Sequence, residues 1–144
     1  MCGYSDLIHR GAKSVTIGLM GLGMTLTPAL AAKNDCDGVK VEVTEARKQE
    51  YAPLVASAIT KKVKPAEVKF LAILESRNWS AAYVTTPLSD DGMMFFQTVN
   101  GKKQFREVWG GYADPSEKPE LASWAEKLGA PQDLARCFAK TVTE

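Results

Sequence analysis

Asp90 and Asp91 stand side by side in Pro87-Leu88-Ser89-Asp90-Asp91-Gly92, and with Glu107 they are the side chains whose type suits acid–base chemistry. Paired carboxylates hydrolyse glycosides when they flank a cleft about 5–9 Å apart. Two consecutive residues running into a glycine read instead as a solvated turn. Imidazole chemistry has little to draw on, because the one histidine, His9, lies in an N-terminal stretch that reads as a removable leader. Beyond that stretch there is no Ser-His-Asp triad, Cys-His pair or imidazole zinc site. The leader also takes Cys2, leaving Cys36 and Cys137. Two cysteines in an exported domain, without a Cys-x-x-Cys motif, are expected to form a structural disulfide rather than a reactive thiol pair. Closing so long a loop would stabilise the fold by about 4–5 kcal/mol, a large share of the about 5–15 kcal/mol typical of a domain.

Two further motifs fail on spacing. Asp35-Cys36-Asp37-Gly38 copies part of a calcium loop, but with Gly38 as the sixth residue the end positions fall on Lys33 and Thr44, where carboxylates are required. No metal site is expected. Gly18-Leu19-Met20-Gly21-Leu22-Gly23 echoes a dinucleotide-binding glycine loop, with no strand before it and no phosphate-facing helix after it. No cofactor is expected.

The leader itself spans residues 1–32. Arg10 and Lys13 precede a stretch from Ser14 to Leu26 that is apolar apart from small residues, and Thr27-Pro28-Ala29-Leu30-Ala31-Ala32 offers the Ala-x-Ala spacing of a signal-peptidase site. The apolar core is shorter than the about 20 residues of a spanning helix. Cleavage after Ala31 or Ala32 predicts an exported protein, periplasmic or secreted, with no stable membrane insertion afterwards. The Ala-rich leader suits bacterial export. Of 18 basic and 17 acidic residues, the leader removes Arg10, Lys13 and Asp6, so sixteen of each sign remain and the net charge is zero. A neutral domain lacks the electrostatic footprint of a nucleic-acid binder. Lys61, Lys62 and Lys64, with Lys69 nearby, read as a solvated helix end.

Residues 33–144 carry no repeat and no linker, and read as a single α+β domain. Val39, Val41 and Val43 alternate with Lys40, Glu42 and Thr44 as in a half-buried strand. Tyr51, Leu54, Val55, Ala58 and Ile59 recur at helical spacing between Glu45 and Thr60, with Pro53 either kinking that helix or marking its true first turn. Four strands are predicted at Val68–Glu75, Trp79–Thr86, Met93–Val99 and Gln104–Gly110. Ser76-Arg77-Asn78 is a tight turn, and Asn100-Gly101 the strongest local signal, a two-residue hairpin turn. That turn pairs Val99 with Lys102, Phe96 with Phe105 and Phe95 with Arg106, and puts Met94, Phe96, Phe105 and Trp109 on one face. Pro119 and Pro131 open two short helices, the first with Leu121, Trp124, Ala125 and Leu128 as its stripe and Gly129 as its stop, the second burying Leu134, Cys137 and Phe138. Trp79, Trp109 and Trp124 read as core. The order β-α-β-β-β-β resembles that of cystatin-like α+β rolls, in which a curved antiparallel sheet packs on one long helix; the two C-terminal helices are additions to that plan.

Two segments suit a binding surface: Pro87 to Gly92, with Ser89, Asp90 and Asp91, and Gly110 to Glu117, with Tyr112 and Asp114. An exposed tyrosine beside carboxylates is the composition of a protein interface. The sequence therefore points to a small exported, non-catalytic binding protein with a protein partner in the same compartment, of inhibitor or immunity type. Two alternatives stand beside it. One is a carrier whose small apolar ligand is lined by Phe95, Phe96, Phe105 and Met94. The other is a hydrolase working through Asp90, Asp91 or Glu107.

Overall fold

The structure, a computed structural model, describes residues 33–59 and 62–144. The expected signal peptide, residues 1–32, lies outside the described residues, as do Thr60 and Lys61 at the expected end of the first helix.

The first helix, α1 (Glu45–Ile59), starts where Thr44 caps it. The Thr44 Oγ1 accepts the Arg47 amide at 3.3 Å and its carbonyl accepts the Lys48 amide at 2.9 Å. Pro53 lies inside this helix and is not its first turn. It is tolerated because it sits on the exposed side, where the carbonyl of exposed Gln49, deprived of its helical donor, can meet water. The strands form a five-stranded antiparallel sheet in the order β1 (Lys40–Val41), β2 (Lys69–Ser76), β3 (Trp79–Thr86), β4 (Ser89–Val99), β5 (Lys102–Gly110). Helices α2 (Lys118–Leu128) and α3 (Gln132–Thr141) come after the sheet, with single 3-10 turns at Pro65–Glu67 and Pro115–Glu117. The described residues form an α+β fold.

The turns obey their residue types. Asn100 and Gly101 take φ of 52° and 76°, the pair of positive values that a two-residue hairpin needs, and Val99 pairs with Lys102. Gly129 ends α2 at φ 110°.

Besides strand ends, where β2 runs Lys69–Ser76 rather than Val68–Glu75 and β5 begins at Lys102 rather than Gln104, the sequence reading differs from the structure in four places. The first strand contributes only Lys40 and Val41 to the sheet, opposite Glu75 and Leu74, and Val41 and Val43 remain 49% and 40% exposed. At the edge of a sheet with one neighbour, alternation alone buries neither. Second, β4 begins at Ser89 and not at Met93. Pro87-Leu88 takes the whole turn, since Thr86 already pairs with Ser89, and Asp90 and Asp91 are strand residues. Third, Phe95 faces Glu107 instead of Arg106, while Phe96 keeps Phe105. Arg106 is an extra residue on β5, a β-bulge. Fourth, that one residue reverses the facing of the rest of β5, because side chains alternate with period two. Trp109 therefore pairs with Met93 and leaves the face of Met94 and Phe96, where Val108 takes its place.

The core divides between the two faces of the sheet. On one, Tyr51, Val55 and Ala56 of α1 pack on Ile73, Ala82, Val84, Met94 and Phe96. On the other, Leu74, Trp79, Ala81, Met93 and Phe95 meet Leu121, Ala125, Leu134, Cys137 and Phe138. The C-terminal helices thus cover the larger cluster. Cys36 and Cys137 come together with Cα atoms 4.4 Å apart and sulfurs at 2.04 Å, joining positions 101 apart in sequence.

Candidate functional site

The candidate site lies at the end of β3 and β4 farthest from the Asn100-Gly101 turn. Val84 pairs with Gly92 and Thr86 with Ser89, so the two residues Asp90 and Asp91 oppose the single Thr85. This bulge sets two exposed carboxylates at the tip of the sheet; bulges at strand ends commonly re-aim side chains in this way. The tip is braced by the turn itself. The hydroxyls of Thr86 and Ser89 lie 2.8 Å apart, and the Leu88 amide donates to the Thr86 Oγ1 at 3.3 Å.

On the α2–α3 side of the tip lies an open cleft of about 830 Å³. Tyr83, Thr85, Asp90, Asp91, Tyr112 and Glu144 give it its chemistry, with Val142 as an apolar contribution. Burial raises the Tyr83 phenol above its ordinary range, and the charge of Asp91 adds to the effect. Tyr112 is 88% exposed, held out by Gly111, whose φ of 116° suits glycine. Three carboxylates, several hydroxyls and an exposed aromatic ring line it, and since Lys140 stands 3.8 Å from the Glu144 Oε1, it is chiefly Asp90 and Asp91 that make it a surface for a positively charged group.

The structure thus brings Asp90, Asp91 and Tyr112 together and leaves Asp114 apart. Asp114 caps the turn Pro115–Glu117. Its carboxylate accepts from the Ser116 amide at 2.9 Å and hydroxyl at 2.7 Å, while its own amide donates to the Glu117 Oε2 at 2.6 Å. Those bonds from Ser116 hold its carboxyl below the usual range. The Asp-x-x-Glu spacing with Pro115 at the first helical position is the sequence signature of this capping box. Glu107, on β5, accepts the Val108 amide at 3.0 Å and is not among the residues lining the cleft. Tyr83 and Glu144 are absent from the sequence reading, because a tyrosine inside a strand and a glutamate after α3 carry no local signal.

On the α1 side of the same tip lies a narrower groove of about 460 Å³, lined by Ile59, Val84, Met94, Phe105 and Val108, with Gly110 and the carboxylates Asp90 and Asp91. Of the aromatic residues assigned to a carrier pocket, only Phe105 lines it. Phe95 and Phe96 are buried in opposite halves of the core.

Away from the tip, α1 is fastened to the sheet by a polar cluster. Arg47 Nη1 pairs with the Glu75 Oε1, and the Tyr51 hydroxyl donates to the same oxygen at 2.7 Å. Lys103 stands over the Tyr51 ring at 5.3 Å and donates to Glu50 at 2.7 Å. Burial drives the Tyr51 phenol far above its ordinary value. This cluster lies on the packed side of α1, where it joins helix to sheet.

Among the described residues no group of three or more His, Cys, Asp or Glu is placed to hold a metal, and no helix is long and apolar enough to cross a membrane. Comparison with protein-family models, curated proteins and solved structures gives no match.

Proposed function

We propose that this is a small exported, non-catalytic binding protein that holds a basic segment of a protein partner in the cleft at the tip of the sheet. The observation that carries the reading is the meeting of Asp90, Asp91 and Glu144 with the 88% exposed Tyr112 in one open cleft. Exposed aromatic residues act as anchors in interfaces, and desolvated carboxylates select a cationic counterpart. In its most concrete form the protein is of inhibitor or immunity type, entering an enzyme's cleft with the tip Thr86–Asp91 and the arm Gly110–Tyr112. A cystatin-like roll, extended by α2 and α3, is the fold reading that accompanies this proposal, and it leaves the tip uncovered. Cysteines at disulfide distance suit an oxidising, exported compartment.

Native mass spectrometry of the protein taken gently from its own compartment tests the reading. A companion protein at fixed stoichiometry is expected, with binding weakened by about tenfold or more in Tyr112→Ala and in Asp90→Ala. A companion that binds both variants as tightly as the parent would move the interface away from the tip. A bare chain with no companion would count against a stable protein complex.

A further inference from the structure

The groove on the α1 side presents an observation that packing does not account for. Four of the described glycines, Gly38, Gly101, Gly111 and Gly129, hold positive φ, and a Cβ on Gly92 would meet the Val108 Cγ2 at 3.3 Å and the Trp109 carbonyl at 3.4 Å. Gly110 is different. Its φ is not positive, and the nearest atom to an added Cβ is the Asp91 carbonyl at 4.0 Å. Neither backbone conformation nor a close neighbour requires a glycine there. A glycine in a strand gives up side-chain packing and marks a bulge, a tight bend or a place where a ligand or another backbone approaches closely, and the ladder is regular from Glu107 to Gly110, so no bulge accounts for this one. Gly110 ends β5 on the floor of the groove, and its bare backbone keeps the groove itself open.

The remaining lining defines the occupant. Ile59, Val84, Met94, Phe105 and Val108 offer an apolar wall, and Phe105 and Val108 stay 41% and 46% exposed along it. At its mouth stand two carboxylates, Asp90 and Asp91, with no Lys or Arg among the described lining residues. An apolar wall ending in two carboxylates is complementary to a molecule with an apolar body and a positive end. We propose that this groove binds a small amphiphilic cation, an aliphatic or aryl chain ending in an ammonium or guanidinium group. The chain lies along Met94, Phe105 and Val108 and passes over Gly110, and the cationic end meets Asp90 and Asp91. The groove shares Asp90 and Asp91 with the cleft holding Tyr112 and differs from it in its apolar wall of Ile59, Met94, Phe105 and Val108, which Tyr112 does not touch.

The test is a titration of the ¹⁵N-labelled protein with octylammonium, octanoate and octanol, monitored by amide shifts. Octylammonium is expected to saturate shifts at Ile59, Asp91, Gly92 and Gly110, with affinity about tenfold or more above that of octanoate. Gly110→Val should fill the floor and weaken octylammonium by a similar factor while leaving the shifts of α2 and α3 in place. Gly110→Ala serves the same purpose should the larger side chain disturb the strand end. The double variant Asp90→Asn with Asp91→Asn should bind octylammonium no better than octanol. Tyr112→Ala should leave all three titrations unchanged, so loss of protein capture and loss of groove binding are read apart. Octanoate binding as tightly as octylammonium, shifts centred elsewhere, no saturable shifts, or full affinity in the Gly110 variants would each overturn the proposal.

Discussion

On the α2–α3 face of the sheet, Phe95, Trp109, Trp124 and Phe138 interlock with ring centroids 5.1–5.8 Å apart, and the Cys36–Cys137 pair ties the chain to α3 beside them. On the α1 face, the apolar cluster is smaller and its largest side chain, Tyr51, is finished by a hydroxyl bonded to Glu75, itself paired with Arg47, rather than by more hydrocarbon. The first face is held mainly by apolar contacts, with one carboxylate, Asp133 of α3, accepting from the buried Ser76 hydroxyl of β2 at 2.8 Å. The second depends on the charge of one carboxylate and the neutrality of one phenol. The same sheet thus has a side closed by interlocking rings and a cysteine pair and a side closed by a charged hydrogen-bond cluster, and the open groove lies on the second.

The largest effect that would sharpen this contrast comes from the sealed face. Replacing both cysteines, Cys36→Ser with Cys137→Ser, should destabilise the protein by about 4–5 kcal/mol in urea unfolding. A loss near zero would place the sealing of that face in its aromatic cluster alone.

Next comes the polar closure of α1. Burial by itself would raise the Glu75 carboxyl, but hydrogen bonds from Arg47 and Tyr51 and the charges of Arg47 and Lys103 outweigh it and hold the group below its ordinary value of 4.5. A carboxylate depressed in the folded state adds stability in full above the unfolded value and loses it as pH falls through the folded one. Tyr51 has the opposite sign. Its raised phenol contributes stability below its ordinary value of 10.0 that is lost as pH rises beyond it. Glu75→Gln should therefore flatten the acid limb of the stability profile and cost about 1–3 kcal/mol at neutral pH. Tyr51→Phe should flatten the alkaline limb. An unchanged acid limb in Glu75→Gln would break the contrast between the faces.

The smallest effect belongs to the tip. Tyr112→Ala should change stability by no more than about 0.5 kcal/mol, since the side chain is 88% exposed. A larger loss would show that Tyr112 packs in solution and is not free to anchor a partner.

Much of this architecture is legible in the chain. Asn100-Gly101 announces its hairpin, Gly129 the end of α2, and the stripes of Tyr51 with Val55 and of Leu134 with Phe138 declare which faces are buried, because each signal is local and steric. The bulges are not legible. Nothing in the residues around Arg106 says that one of them will be unpaired, yet that residue decides on which face Trp109 lies. The tip misleads for a related reason. Asp90-Asp91-Gly92 has turn composition, but Pro87-Leu88 satisfies the turn first, and the carboxylates become strand residues pushed out by a bulge opposite Thr85. Asp114 carries the signature of a cap and is one. The convergence of Tyr83, Glu144 and Tyr112 on one cleft arises from pairings distant in sequence that no local pattern encodes.

The order of the strands bears on how the chain acquires its shape. Each strand pairs with the one next to it in the chain, and β2 to β5 form three successive hairpins closed by two-residue turns. Such a meander assembles through short-range encounters, the kind that make folding fast. The Cys36–Cys137 junction is the opposite case, since its two ends are 101 positions apart and Cys137 is buried under α3 packing. Its thiols meet only when the sheet and the terminal helices are already in place. Oxidation then acts as a latch on a nearly native chain, and the rate at which the cross-linked form accumulates is set by the supply of oxidant rather than by the search for the fold.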